Sequence, residues 1–274
     1  MGRTVSSLRS KRFQTKKRKT LVYKYVGIAA FVALLVGGLA YMTHVDAVQI
    51  TKIHVEGNKI VSRSDLESIV TEAQNARVLG IFSRNNVALF PRSDTRDQVT
   101  SRFKAIASAT AAFDGLHTLT LSVQELEPAY LWCDSELREH CYFMDSHGYI
   151  FSESADFSQN ILFTFYGLID PAKPIGATYM DSQQFAEIIK FVASTKQLDL
   201  DPIGLVVSDQ GLGDFTLLLA GGGKVLFSDR EPYLTVYENL EAVVHEQKKT
   251  QPDFVTRLDY IDVRFANKAF IKLK

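Results

Sequence analysis

The chain has no acidic residue before Asp46, and between Lys24 and Asp46 it has no Lys, Arg, Asp or Glu at all. It also lacks any internal repeat, low-complexity run or long linker. With 46% hydrophobic and 23% charged residues, wholesale disorder is excluded. The formal net charge is zero, which excludes a globally basic nucleic-acid binder, but that balance hides a segregation. Nine of the 31 basic residues fall within the first 24 positions: Arg3, Arg9, Lys11, Arg12, Lys16, Lys17, Arg18, Lys19 and Lys24. All 31 acidic residues lie beyond the uncharged stretch, which leaves the rest of the chain net acidic. Only two cysteines occur, both in that acidic part. A length of 274 residues fits about two domains.

Tyr25–Met42 runs 18 residues without a charge, about 27 Å as a helix against a hydrocarbon core of roughly 30 Å. Tyr23, Tyr25 and Tyr41 sit near its ends, where amphipathic rings favour the membrane interface. The other reading is a cleaved signal peptide with Val45-Asp46-Ala47 at the cleavage site. The long leader and the length of the run favour an uncleaved anchor over 25–44. Basic residues before the span and none just after it place 1–24 in the cytoplasm and 45–274 outside, by the positive-inside rule. The basic run could also bind nucleic acid or anionic lipid. Orientation alone accounts for it, so the partner expected of this segment is membrane lipid through the anchor, with no nucleic acid.

Beyond the span, Gln49–Glu56 alternates Ile50, Ile53 and Val55 with polar residues and ends at a Gly57-Asn58 turn, which reads as a strand. Ser64 and Glu67 have capping-box spacing, and Leu66, Ile69, Val70 and Ala73 follow at helical intervals. A second helix fits Ser93–Phe103. Strands Ser108–Phe113 and Thr118–Val123 flank Asp114-Gly115, a hairpin signal. The pattern predicts a small β-α-α-β-β domain over 48–126, with 77–91 unassigned. From 127 to 274 the pattern is that of a mostly antiparallel β domain with flanking helices at Asp181–Ser194 and Pro232–His245. The second of these is expected to bury Leu234, Tyr237, Leu240 and Val244. Asn160–Tyr179 reads as loop, and the chain closes with strands Asp259–Phe265 and Ala269–Leu273 around Asn267-Lys268. The fold class is α+β.

Cys133 and Cys141 flank a polar turn in YLWC-DSELREH-CYFMD, a β-hairpin pattern. Outside the cell they could form a cross-strand disulfide, or stand as two buried thiols. Two Cys with His140 match no standard zinc spacing. The remaining chemistry-bearing residues give no catalytic constellation. Asp145-Ser146-His147 are neighbours in a turn pattern, and adjacency is not triad geometry. Gly221-Gly222-Gly223 joins two strands, whereas a phosphate cradle requires a helix N-terminus after it. The sequence predicts no enzyme activity, no metal, no cofactor and no small-molecule substrate. It reads as a binding surface on an anchor.

Four stretches, in order, carry a resemblance to the bacterial cell-division family FtsQ, called DivIB in Gram-positive bacteria. They are Ile50–Asn58 (ITKIHVEGN), Thr118–Pro128 (TLTLSVQELEP), Ala129–Trp132 with Tyr142–Phe151, and Leu258–Phe265 (LDYIDVRF). The resemblance spans essentially the whole chain. It implies a basic cytoplasmic tail, one span, a POTRA domain over 48–126 and a β domain ending in a partner-binding strand. Leu126 stands where the family carries a basic residue, so no charge is carried over at that position. The family implies a non-enzymatic scaffold at the division septum that binds FtsB- and FtsL-like membrane proteins and links them to septal peptidoglycan synthesis. Partner contacts in the family concentrate on the strand after the "yIDLRf" motif, which maps to Phe265, Asn267, Ala269, Phe270 and Ile271. Along 259–265, Ile261, Val263 and Phe265 alternate with Tyr260, Asp262 and Arg264, so one set is expected to face the core. The alternative reading is a membrane-anchored POTRA adaptor of another envelope assembly or transport machine.

Overall fold

In a computed structural model, residues 8–154, 162–207, 213–265 and 268–274 are described. Helix α1, Leu8–Met42, is continuous from the basic segment into the apolar one. Its Leu21–Met42 portion is long and apolar enough to cross a membrane. The chain divides into two units, one of Met1–Phe103 with Ser108–Gln124, the other of Lys104–Ala107 with Glu125–Lys274.

In the first unit, β1 (Lys52–Glu56), β4 (Ile106–Asp114) and β5 (Thr118–Glu125) form a sheet in the order β1-β5-β4, with β1 parallel to β5. Between β1 and β4 the chain forms α2 (Arg63–Asn75), a small ribbon of β2 (Arg77–Val78) and β3 (Phe82–Ser83), and α3 (Arg92–Arg102). The ribbon falls in the stretch whose sequence carried no clear period. Leu66, Ile69, Val70 and Ala73, one stripe of α2, are all buried, as are Leu119, Leu121 and Val123 at alternate positions of β5. The cap of α2 differs from the expected one. Ser62 Oγ accepts from the Asp65 N–H at 3.2 Å, while Glu67 pairs with Arg63 at 2.7 Å instead of reaching back to Ser64.

The second unit holds one nine-stranded mixed sheet. Its strands are β6 (Tyr130–Cys133), β7 (Cys141–Met144), β8 (Ile150–Glu153), β9 (Thr164–Tyr166), β10 (Pro202–Val207), β11 (Asp214–Leu219), β12 (Lys224–Ser228), β13 (Leu258–Phe265) and β14 (Lys268–Leu273). The order is β14-β13-β12-β11-β10-β9-β6-β7-β8. Parallel pairs β6/β9, β9/β10 and β12/β13 interrupt the antiparallel ones. Helices α4 (Ser182–Thr195) and α5 (Tyr233–Thr250) are the crossovers of β9 to β10 and of β12 to β13. The unit therefore repeats β-α-β-β twice, β9-α4-β10-β11 then β12-α5-β13-β14, a repetition of topology that the sequence does not display.

One apolar cluster joins both helices to the sheet. It includes Phe165, Phe185, Ile188, Phe191, Leu205, Phe215, Leu217, Phe227, Leu240 and Ile261. Two of the sequence expectations fail here. β9 lies inside the stretch read as loop, because three residues are too few to show a period, yet Phe165 is fully buried and meets Tyr179 edge-on and Phe185 at a tilt, ring centroids 5.0 and 5.2 Å apart. Leu234, expected in the core, is 69% exposed. The inward stripe of α5 is Val236, Leu240 and Val244, spaced four apart, and Leu234 falls off it.

Candidate functional site

β14 is the last strand of the sheet order, so among the described residues its outer backbone edge has no partner strand. It pairs antiparallel with β13, Ile261 opposite Ile271 and Asp262 opposite Phe270, and the register shifts between Asp262 and Phe265. Ile261 and Val263 are buried, as alternation requires. Phe265, which has their parity, is 49% exposed, because the irregularity after Asp262 turns it out of the core. Phe270 is 51% exposed and meets Phe265 edge-on, ring centroids 5.7 Å apart. Ala269 is exposed, while Ile271 packs against the core cluster. Asn267 lies outside the described residues. Of the five positions, Phe265 and Phe270 thus form one apolar spot beside an open strand edge, and Ile271 holds the strand to the sheet.

An ion-pair network that the sequence reading did not single out lies beneath this spot. Arg264 Nε and Nη2 donate to the two carboxylate oxygens of Asp262 at 2.9 and 2.7 Å, and Nη1 donates to Asp214 Oδ2 at 2.9 Å. Arg230 Nη2 holds the other Asp214 oxygen at 2.9 Å. The Arg264 guanidinium also lies 6.0 Å from the Phe265 ring centroid. Burial pushes the Asp262 carboxyl up, but the Arg264 hydrogen bonds and charge outweigh it, and the net shift is downward. The Arg264 pKa is raised, first by its hydrogen bond to Asp262, so the pair is ionised throughout the ordinary pH range. The signal for this clamp was an acid in the middle of an apolar strand, which requires a buried partner. At the far end of the strand pair, Lys272 bonds Asp259 at 2.8 Å, which lowers the aspartate's pKa.

Cys133 and Cys141 sit directly opposite one another in β6 and β7, Cα atoms 4.2 Å apart, and are joined by a disulfide. With both thiols in that bond neither is available to join His140 at a metal, and among the described residues no group of three or more His, Cys, Asp or Glu could hold a metal ion. Asp145 Oδ1 accepts from the His147 and Tyr149 N–H groups at 2.8 and 2.9 Å, which makes Asp145-Ser146-His147 a hairpin turn. Gly221–Gly223 forms the β11–β12 turn, and Lys274 Nζ donates to the Gly221 carbonyl at 2.6 Å. A groove of about 920 Å³ between α4 and the start of α5 is lined by Glu187, Phe191, Asp229 and Tyr233 among others. Burial, then the nearby Asp229 charge, pushes the Tyr233 phenol up to about 12. No protein-family model matches the chain, and neither does any curated protein.

Proposed function

We propose that this chain is a membrane-anchored, non-catalytic division scaffold of the FtsQ/DivIB kind, with its first outer domain of the POTRA type, that captures an extended segment of an FtsB- or FtsL-like partner along β14. The observation that carries the reading is the open β14 edge beside the exposed Phe265–Phe270 pair. An unpaired edge offers backbone N–H and C=O groups to a partner strand, and adjacent aromatic rings add an apolar anchor. The basic segment ahead of the apolar helix supports a cytoplasmic N-terminus and an exterior C-terminal part.

The test is where the full chain sits in dividing cells when a fluorescent protein is fused to its N-terminus. Accumulation at the septum that is lost when residues 45–274 are deleted supports the division reading. A uniform envelope signal overturns it and leaves the adaptor of another envelope machine. Replacing Phe270 by Glu in the full chain is expected to abolish capture of the partner while the thermal unfolding of the protein is unchanged.

A further inference from the structure

The β2–β3 ribbon holds apolar side chains in the open. Val78 pairs with Phe82, and the Ile81 N–H donates to the Val78 carbonyl at 3.2 Å. That hydrogen bond encloses Leu79 and Gly80, which both have positive φ, 52° and 74°. That is the pattern of a type I′ turn, whose first central position favours asparagine or another residue at ease in the left-handed region. Leucine is poorly suited to it. Its side chain is 84% exposed and that of Ile81 46%, so neither is placed there to fill a core. A leucine that strains the turn and packs on little within its own unit points to an apolar surface outside the protein.

The bilayer is the apolar surface nearest to hand. Thr43, the first residue after α1, accepts through Oγ1 a hydrogen bond from the Ser83 N–H at 3.1 Å, and β3 contacts α1. Gln49 bridges to Asn86, and the Ile50 N–H donates to the Asn85 carbonyl at 3.3 Å, so the chain leaving the span is bound to the chain leaving the ribbon. Ile81 lies two residues from Ser83, about 7 Å of extended chain. That is comparable with the headgroup layer, roughly 5–7 Å on each side of the hydrocarbon core. Charge agrees: residues 73–93 contain Arg77, Arg84 and Arg92 and no acidic residue, although the exterior part as a whole is acidic. An apolar tip bracketed by arginines has the composition of a segment that sits in an interface of anionic headgroups.

We infer that the Leu79-Gly80-Ile81 turn inserts into the outer leaflet of the bilayer crossed by α1, forming a second membrane contact. A single helix leaves the domain beside it free to rotate about the helix axis; the inserted turn fixes that rotation for the first unit. The inference rests on α1 being a membrane anchor and is independent of the division reading.

The test uses the full chain in vesicles of phosphatidylethanolamine and phosphatidylglycerol. The structure contains no free cysteine, so Leu79→Cys and Ile81→Cys each accept a single environment-sensitive fluorophore, and Lys59→Cys, exposed beyond the end of β1 that lies away from α1, is the control. Labels at 79 and 81 are expected to show blue-shifted emission and loss of intensity with lipids carrying a shallow nitroxide, and the label at 59 neither. Leu79→Asn suits the turn and removes the insert, so in that background quenching at 81 must fall. Water-like emission at 79, equal to that at 59 in vesicles that carry the protein through flotation, overturns the inference. Shielding at 79 that appears only when another protein is added overturns it in favour of a protein contact. Failure of the protein to float removes the anchor, and the inserted turn with it.

Discussion

Arg264 grips Asp262 through both carboxylate oxygens although the two residues belong to one strand and are two positions apart. In a regular strand that spacing puts them on one face without forcing contact. Here the grip coincides with the register shift after Asp262, and Arg264 extends it to Asp214 on β11, which is not a neighbouring strand of β13. The exposed position of Phe265 is therefore tied to a charge network across three strands. Removing Asp262 leaves a partly buried guanidinium with fewer partners, so Asp262→Ala is expected to destabilise the second unit by about 2 kcal/mol, read from urea unfolding.

The same carboxylate gives a sign to the acid response. Its folded pKa is depressed, so its contribution is complete above the unfolded value of about 3.9 and is lost as pH falls through the lower folded value. Stability of the second unit is expected to fall steadily below about pH 4. Asp262→Asn should flatten that slope. An unchanged slope in the variant would place the acid response elsewhere.

On the proposed reading, Phe270 separates binding from folding. Half exposed and at the sheet edge, it contributes little to the core, and Phe270→Ala is expected to shift stability by less than about 0.5 kcal/mol. The same change should weaken partner capture by about 2 kcal/mol, roughly thirtyfold in Kd, as for an aromatic anchor in an interface. Calorimetric titration with the exterior part of an FtsB-like partner measures it. Equal affinity would move the docking site away from β14.

The Cys133–Cys141 disulfide closes a short loop, and its reduction is expected to cost about 2.5 kcal/mol by the loop-entropy relation. A thiol-blocking mass shift on the untreated protein should find no free thiol. Two labelled cysteines would mean that the bond does not form where the protein resides.

Gly57 is a backbone requirement. Its φ is +86°, and an added Cβ would collide with the Val123 carbonyl oxygen. Gly57→Ala should destabilise the first unit by about 2 kcal/mol or more, since both the strain and the collision oppose it. Thermal unfolding followed by circular dichroism would report it.

Long, strongly periodic segments were legible. The stripe Leu66, Ile69, Val70 and Ala73 announced α2, and Asp114-Gly115 announced the β4–β5 turn, because burial on one face leaves a regular trace. The trace fails where an element is too short to repeat its own period. β9 is three residues and the ribbon strands two each, so their places come only from tertiary contacts. At the candidate site the alternation in β13 grouped Phe265 with Ile261 and Val263 and left open which set faces the core, and a shift of register that parts Phe265 from the other two cannot be seen in a count of alternating residues. The Arg264–Asp262 grip was hidden for a related reason: charge in a strand announces that a partner is needed, not which one.

The placement of β9 has a consequence for how the second unit is assembled. The meanders β6–β7–β8 and β10–β11–β12 pair between sequence neighbours and need only short loops to close. Neither can join the other until β9 enters between β6 and β10 with a parallel partner on each side. Parallel pairing has to wait for distant chain to return, which makes it slow. The shortest strand of the sheet is therefore the piece that joins two local hairpin systems into one, and a lesion at Phe165 is expected to loosen the sheet at its seam where a lesion at β14 would only trim its edge.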